Sequence, residues 1–269
     1  MGTRKQPSAI RRVRGRIARW AAPELEAELK ATRAKLKRTR AQLAAAGYDL
    51  PPVVEQTIAR AREEHLTYLK PEHLRSLAAE VLELERRGLP GLIVEAGTAR
   101  GGSAIVMAAA KAPERAMKVY DVFGMIPPPS EHDGDDVHER YAKIAAGEAK
   151  GVGGDTYYGY RDDLYEEVKA SFSRLDVPVE EHNIELVRGL FEATIDLDEP
   201  VAFAHLDGDW YESTMTCLSR IAPLIVPEGR IVLDDYYAWS GCRAAVDEYF
   251  SGREGFRLEQ RAKLHAIRE

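Results

Sequence analysis

Two apolar runs in this chain end in paired aspartates: Val201-Ala-Phe-Ala-His-Leu206 leads to Asp207 and Asp209, and Arg230-Ile-Val-Leu233 leads to Asp234 and Asp235. A strand buried on both faces reads as a continuous apolar run, and its carboxyl end is where ligands of open α/β sheets collect. Two such strands aim several carboxylates at one point. Carboxylates at close range do not all stay ionised without a cation among them, so the pattern points to a hard divalent metal with oxygen ligands. The other common use of a strand-end acid is to cap the helix that follows. For Asp209, ahead of a helix starting near Glu212, the cap is the favoured role.

The rest of the chain fits an α/β fold. From Gly91 onward strands and helices alternate, as in a parallel sheet. Strands are expected over residues 92–95, 117–121, 184–187, 201–206 and 230–234. Helices are expected over 101–111, 164–175, 211–225 and 241–251, and an antiparallel pair over 256–260 and 263–267 closes the sheet. Residues 124–159 are dense in Pro, Asp, Gly and His and read as a long polar loop, the usual material of a lid or binding loop. Ahead of the sheet, residues 53–65 and 72–87 read as two helices, the second stopped by Gly88.

Charge divides the chain. Residues 1–46 carry 13 Lys/Arg against 3 Glu, a net +10, and the remainder carries 25 against 41, a net −16. In that basic segment Leu25, Leu29, Leu36 and Leu43 fall at roughly heptad intervals, which predicts a helix that docks on the acidic core or on a second subunit of a homo-oligomer. No basic platform interleaved with aromatics occurs elsewhere, so nucleic acid is not the expected partner. No apolar run reaches the ~18 residues of a membrane span, and the N-terminal stretch lacks an h-region with a small-residue cleavage site, which leads to a cytoplasmic expectation. Cys217 and Cys242 lack metal-type spacing and are expected to be small packing residues. The chain divides into a basic helical extension (1–46), a helical region on the lid and substrate side (47–90) and a core (91–269).

The first strand runs into Glu95-Ala-Gly97-Thr98-Ala-Arg-Gly101-Gly102-Ser103. Its glycine spacing is neither the dinucleotide fingerprint nor a P-loop. A Gly-rich turn preceded by an acid, with a second acid, Asp121, ending the next strand, suits S-adenosylmethionine instead. Glu95 and the turn would hold its amino-acid end, and Asp121 would accept hydrogen bonds from the ribose hydroxyls.

With these elements in place the chain resembles the macrocin-type sugar O-methyltransferases of macrolide biosynthesis, a metal-dependent branch of the class I methyltransferases. The resemblance rests on Val94-Glu-Ala-Gly-Thr-Ala-Arg-Gly-Gly-Ser103, on Asp121-Val-Phe-Gly-Met-Ile-Pro-Pro-Pro129, on Leu206-Asp-Gly-Asp-Trp-Tyr-Glu-Ser-Thr-Met215, and on Val232-Leu-Asp-Asp-Tyr236 with Cys242-Arg-Ala-Ala-Val-Asp247. It implies a Rossmann-like sheet, mostly parallel with a terminal antiparallel strand, and methyl transfer to a sugar hydroxyl of a glycosylated small molecule. It further implies Mg²⁺ on Asp207, Asp234 and Asp235, with Asp207 also the base. Glu95, Gly97, Thr98, Ser103 and Asp121 would hold the methyl donor, and Tyr68 matches a lid position against the sugar ring. The chain departs from the family after the second strand, where it reads Asp-Val-Phe-Gly-Met-Ile, and in the basic segment before Ala46, which has no recognised counterpart. A catechol-type phenol methyltransferase shares the metal logic but normally carries a basic residue soon after its first metal aspartate, where this chain has Trp210. A non-catalytic donor-binding module is the remaining alternative, and retention of every acid speaks against it.

Overall fold

The computed structural model describes residues 49–269, so the basic helix expected over 1–46 lies outside the described residues. Two helices come first, each opened by a proline that supplies helical φ where no N–H partner is needed. These are α1 (Pro52–Glu63) and α2 (Pro71–Arg86). Each buries a stripe at helical spacing: Val54, Ile58 and Ala61 on α1, and Leu74, Leu77, Val81 and Leu84 on α2. Both pack on α3 (Gly102–Ala110), a helix buried almost all round because it lies between them and the sheet.

The sheet has seven strands in the order β3-β2-β1-β4-β5-β7-β6. They are β1 (Leu92–Ala96), β2 (Met117–Asp121), β3 (Ile184–Arg188), β4 (Val201–Leu206), β5 (Ile225–Leu233), β6 (Phe256–Gln260) and β7 (Leu264–Arg268). The first five are parallel, while β7 runs antiparallel to both β5 and β6. Every residue of β1 and β4 is buried, and alternate side chains serve opposite faces. Ile93, Val119 and Phe203 pack under α1, α2, α3 and α5 (Leu164–Arg174). Val94, Ala204, Ile231 and Leu233 pack under α7 (Tyr211–Ile221) and α8 (Ser240–Phe250). Strand order reverses between β1 and β4, and a crevice outside the carboxyl ends opens there.

Three expectations need correction. The insert is not a continuous loop: it contains α4 (Asp135–Ala145), whose Val137 and Ile144 join a small core with Ile126, Tyr157 and Trp210 over the carboxyl edge of the sheet. A polar composition hid that narrow apolar stripe. The helix from Tyr211 stops at Ile221, because Pro223 lies in the following 3-10 turn, and β5 begins at Ile225 rather than Arg230. Pro227-Glu228-Gly229 looks like a turn in sequence, yet the strand runs through it with Glu228 at φ 65 and a shifted register against β4. A short helix, α6 (Phe191–Thr194), was not anticipated.

Candidate functional site

The turn after β1 is shaped by close approach to its own chain. Gly97 has φ 88, and a Cβ there would run into the Asp207 carbonyl, while a Cβ on Gly102 would meet Leu66 and Thr67 at 2.7 Å. The glycines therefore draw the turn against the end of β4 and against the segment between α1 and α2. Asp121 then fixes the turn's shape. Its Oδ2 accepts the Thr98 and Ala99 N–H groups at 2.8 and 3.0 Å, and its Oδ1 accepts Phe123 N–H at 2.7 Å. Burial raises the Asp121 pKa above its ordinary value, with the three N–H groups opposing.

Beside that turn, Asp207, Asp234 and Asp235 can each present one carboxylate oxygen, all within 4.8 Å of one another. Burial, followed by the charges of Asp234, Asp235 and Asp209, pushes Asp207 well above the carboxylate range. Burial and Asp234 bring Asp235 up to about 6. Asp234 behaves in the opposite way: burial works to raise it, but Lys263 and His205 outweigh burial and hold it well below its usual value. Lys263 Nζ is bonded to Asp234 Oδ2 and, at 2.9 Å, to the Asp234 carbonyl. His205, fully buried, places Nδ1 2.8 Å from Glu95 Oε1 and Nε2 3.4 Å from Asp234 Oδ1. Burial opposes charge on His205, yet the two carboxylates raise it to about 9.

Asp209 is not a helix cap. It sits at φ 59, which turns its backbone N–H onto Asp235 Oδ2 at 3.1 Å, and α7 begins after Trp210 without a capping side chain. The buried N–H of Tyr211, first in the helix, is taken instead by Asp133 Oδ1, from the insert, at 2.9 Å. Asp209 faces the site, where burial and Asp235 push its pKa well up.

Two adjoining cavities share a wall made of Ile126, Tyr158, Asp207 and Asp209. The larger, about 330 Å³, is bounded by Tyr68, Thr98, Ser103, Arg140, Tyr157, Trp239, Lys263 and the three clustered acids. The smaller, about 50 Å³, is bounded by Gly97, Asp121, Leu190 and Phe191. Of the residues expected to hold donor, metal or substrate, only Glu95 lines neither cavity; one of its carboxylate oxygens is buried without a partner. Thr98 Oγ1 is likewise buried without a partner, but at the wall of the larger cavity. Tyr68 is 47% exposed and meets Tyr158 edge-on at 6.3 Å. His132 stacks on Tyr211 and His138 is exposed; neither lines a cavity. Cys217 and Cys242 are buried free thiols. No helix of the described residues is long and apolar enough to cross a membrane.

The sequence reading missed Arg140, Tyr157, Tyr158, Trp239 and Lys263. The adjacent Tyr157-Tyr158 pair, aromatic in a polar insert, was the one signal available; Lys263 had none, because its place depends on strand register.

The macrocin-O-methyltransferase (TylF) family model matches residues 14–255. The match begins inside the basic segment, so most of that segment has a family counterpart after all. Demethyldecarbamoylnovobiocin O-methyltransferase of Streptomyces niveus is 30% identical over 189 residues, 66% of this chain and 64% of that enzyme, just under two thirds of its length. The 8-demethyl-8-(2,3-dimethoxy-alpha-L-rhamnosyl)-tetracenomycin-C 4'-O-methyltransferase of Streptomyces olivaceus is 30% identical over 215 residues, 78% of this chain and 72% of that enzyme. In structure, the O-methyltransferase NovP superposes with a TM-score of 0.64 at 22% identity, covering 86% of this chain and 99% of NovP. The calicheamicin methyltransferase CalS11 gives 0.55 at 15% identity, covering 87% and 91% of the two chains, so these two structures speak to the fold alone.

Proposed function

Because the chain belongs to the macrocin-O-methyltransferase family, we propose that it transfers a methyl group from S-adenosylmethionine to a sugar hydroxyl of a glycosylated natural product, with Mg²⁺ as the metal. The observation that carries this reading is the junction of two cavities at Asp207 and Asp209, with the acid cluster on the larger side. The smaller cavity places Gly97 and Asp121 on the donor side, and the larger places the acid cluster on the acceptor side. A transferable methyl has to sit where the two meet.

The residues present suit both groups. Asp121 retains acceptor capacity for a ribose hydroxyl at Oδ1, which takes one N–H group, whereas Oδ2 already takes two. The unpartnered Thr98 hydroxyl offers a buried donor or acceptor at the wall of the cavity that Ser103 also lines. Gly97, Thr98, Ser103 and Asp121 are accordingly assigned to the donor. Glu95 acts at one remove, holding His205 on β4. Asp207, Asp234 and Asp235 form an all-oxygen, anionic donor set of the kind hard divalent cations take. When bound, Mg²⁺ would supply Lewis-acid stabilisation of a developing alkoxide.

The protein's own groups do the rest. Tyr68, on the segment between α1 and α2, is assigned to the face of the sugar ring. The acceptor hydroxyl must lose a proton as it attacks. Resemblance assigns that proton to Asp207, but a carboxylate committed to a cation is a weakened base. Asp209, outside the three-oxygen cluster and on the shared wall, is the better acceptor.

The test is a panel of glycosides and catechols with labelled donor, run with Mg²⁺ and with excess chelator. Methylation of a glycoside that chelation abolishes and Mg²⁺ restores is the expected result. Full turnover in metal-free protein would sink the metal assignment, and transfer to catechols alone would sink the sugar.

A further inference from the structure

Lys263 comes from the turn joining β6 to β7, far in sequence from every acid in the site, yet it is fixed against them by sheet register. Leu233 pairs with Leu264 across β5 and β7, so the next position on β5, Asp234, faces the preceding position on β7, Lys263. The turn is closed by the Arg261 N–H to the Lys263 carbonyl at 3.0 Å. The ammonium cannot leave the acids without breaking the hairpin or changing rotamer. Its side chain is 13% exposed and lines the larger cavity.

Asp234 is thereby engaged from two sides, by Lys263 at Oδ2 and by His205 Nε2 at 3.4 Å from Oδ1. A divalent cation held by Asp207, Asp234 and Asp235 must share Asp234 with a lysine already in place. We infer that Lys263 is a built-in counter-ion: it holds the acid cluster together when no metal is bound and weakens the affinity of the cluster for a divalent cation, so that the metal exchanges instead of being locked in. This rests on the metal site proposed above. Two opposite effects follow from one charge. Removing it deepens the negative potential at the cluster and tightens the cation, and it also leaves the metal-free cluster with His205 alone against Asp234.

Calorimetric Mg²⁺ titration and thermal melts in chelator distinguish this from a lysine that merely pins the hairpin. In K263M the Mg²⁺ dissociation constant is expected to fall by about tenfold or more, since a unit charge a few ångströms from a divalent ion is removed. The melting temperature in chelator should drop, and the rise on adding Mg²⁺ should exceed that of the wild type. K263R, which keeps the charge, should stay near wild type in both. Unchanged or weaker Mg²⁺ binding by K263M overturns the inference. If K263M folds only with Mg²⁺ present, the inference stands, because the cation has replaced the lost charge; if it stays unfolded in saturating Mg²⁺, the inference fails. Wild-type protein that binds no Mg²⁺ overturns the metal site itself, and this inference with it.

Discussion

Single residues in this site take their roles from where distant segments arrive. Asp207, Asp234 and Asp235 were legible in the sequence because a buried strand can deliver its terminal acid to only one edge of the sheet. Asp209 was misread, since an aspartate just before a helix looks like a cap, and nothing local announces that Asp133 comes from 78 residues away to take the Tyr211 N–H. The correction changes the expected phenotype. D209N should lower the single-turnover rate by about 10²-fold or more, the usual worth of a positioned base, while the binding of S-adenosylhomocysteine and thermal stability stay near wild type. Near-normal turnover in D209N beside a dead D207N would return the base to Asp207. Asp121 holds the turn after β1, which was not foreseen, and is proposed to hold the donor's ribose as well. D121A should weaken S-adenosylhomocysteine by about 1.5–3 kcal/mol, the range for hydrogen bonds to a charged group. It should also lower the melting temperature, because Thr98, Ala99 and Phe123 lose the acceptor for their N–H groups. Calorimetry and melts separate the two effects, and unchanged affinity would leave Asp121 with the structural duty alone.

Among the elements, the strands were the legible part, because parallel strands buried on both faces announce themselves as apolar runs whatever surrounds them. Helix α4 did not, since only one narrow stripe of it is buried. Its position gives the insert a mechanical role. Asp133 takes the N–H of Tyr211 at the start of α7, and Asp136 takes the N–H of Ser240 at 3.0 Å, with its other oxygen on the Ser240 hydroxyl, at the start of α8. Those two helices follow the loops that carry Asp207 and Asp209, and Asp234 and Asp235. Two acids of one insert thus sit at the positive ends of both helices that lead away from the acid cluster. Gly241 completes the fit, because a Cβ there would strike the Asp133 carboxylate. The D136A variant loses a cap worth about 1 kcal/mol, and the loss should fall on the insert and not on the sheet. Its KM for the acceptor should rise several-fold while affinity for S-adenosylhomocysteine holds. An equal loss of donor affinity would mean that the insert organises the whole crevice.

On the scale of the whole molecule, the charge contrast between residues 1–46 and the remainder sets up the last prediction. Among the described residues, those lining the two cavities run from Thr67 to Lys263. We propose that the segment serves association: a net +10 with leucines at heptad intervals has an obvious counterpart in a net −16 partner surface, and a homo-oligomer presents that surface in a second copy. Electrostatic docking of this kind weakens with salt, since surface charges are screened beyond about 8 Å at physiological ionic strength. Protein lacking residues 1–46 should therefore sediment at a lower oligomeric mass than the full chain, and the full chain should approach that mass as salt is raised. Single-turnover methyl transfer in the truncated protein should stay within a few-fold of the full chain. A truncated protein of unchanged mass would place the subunit interface elsewhere, and loss of the chemical step would show that the basic segment reaches a neighbouring active site.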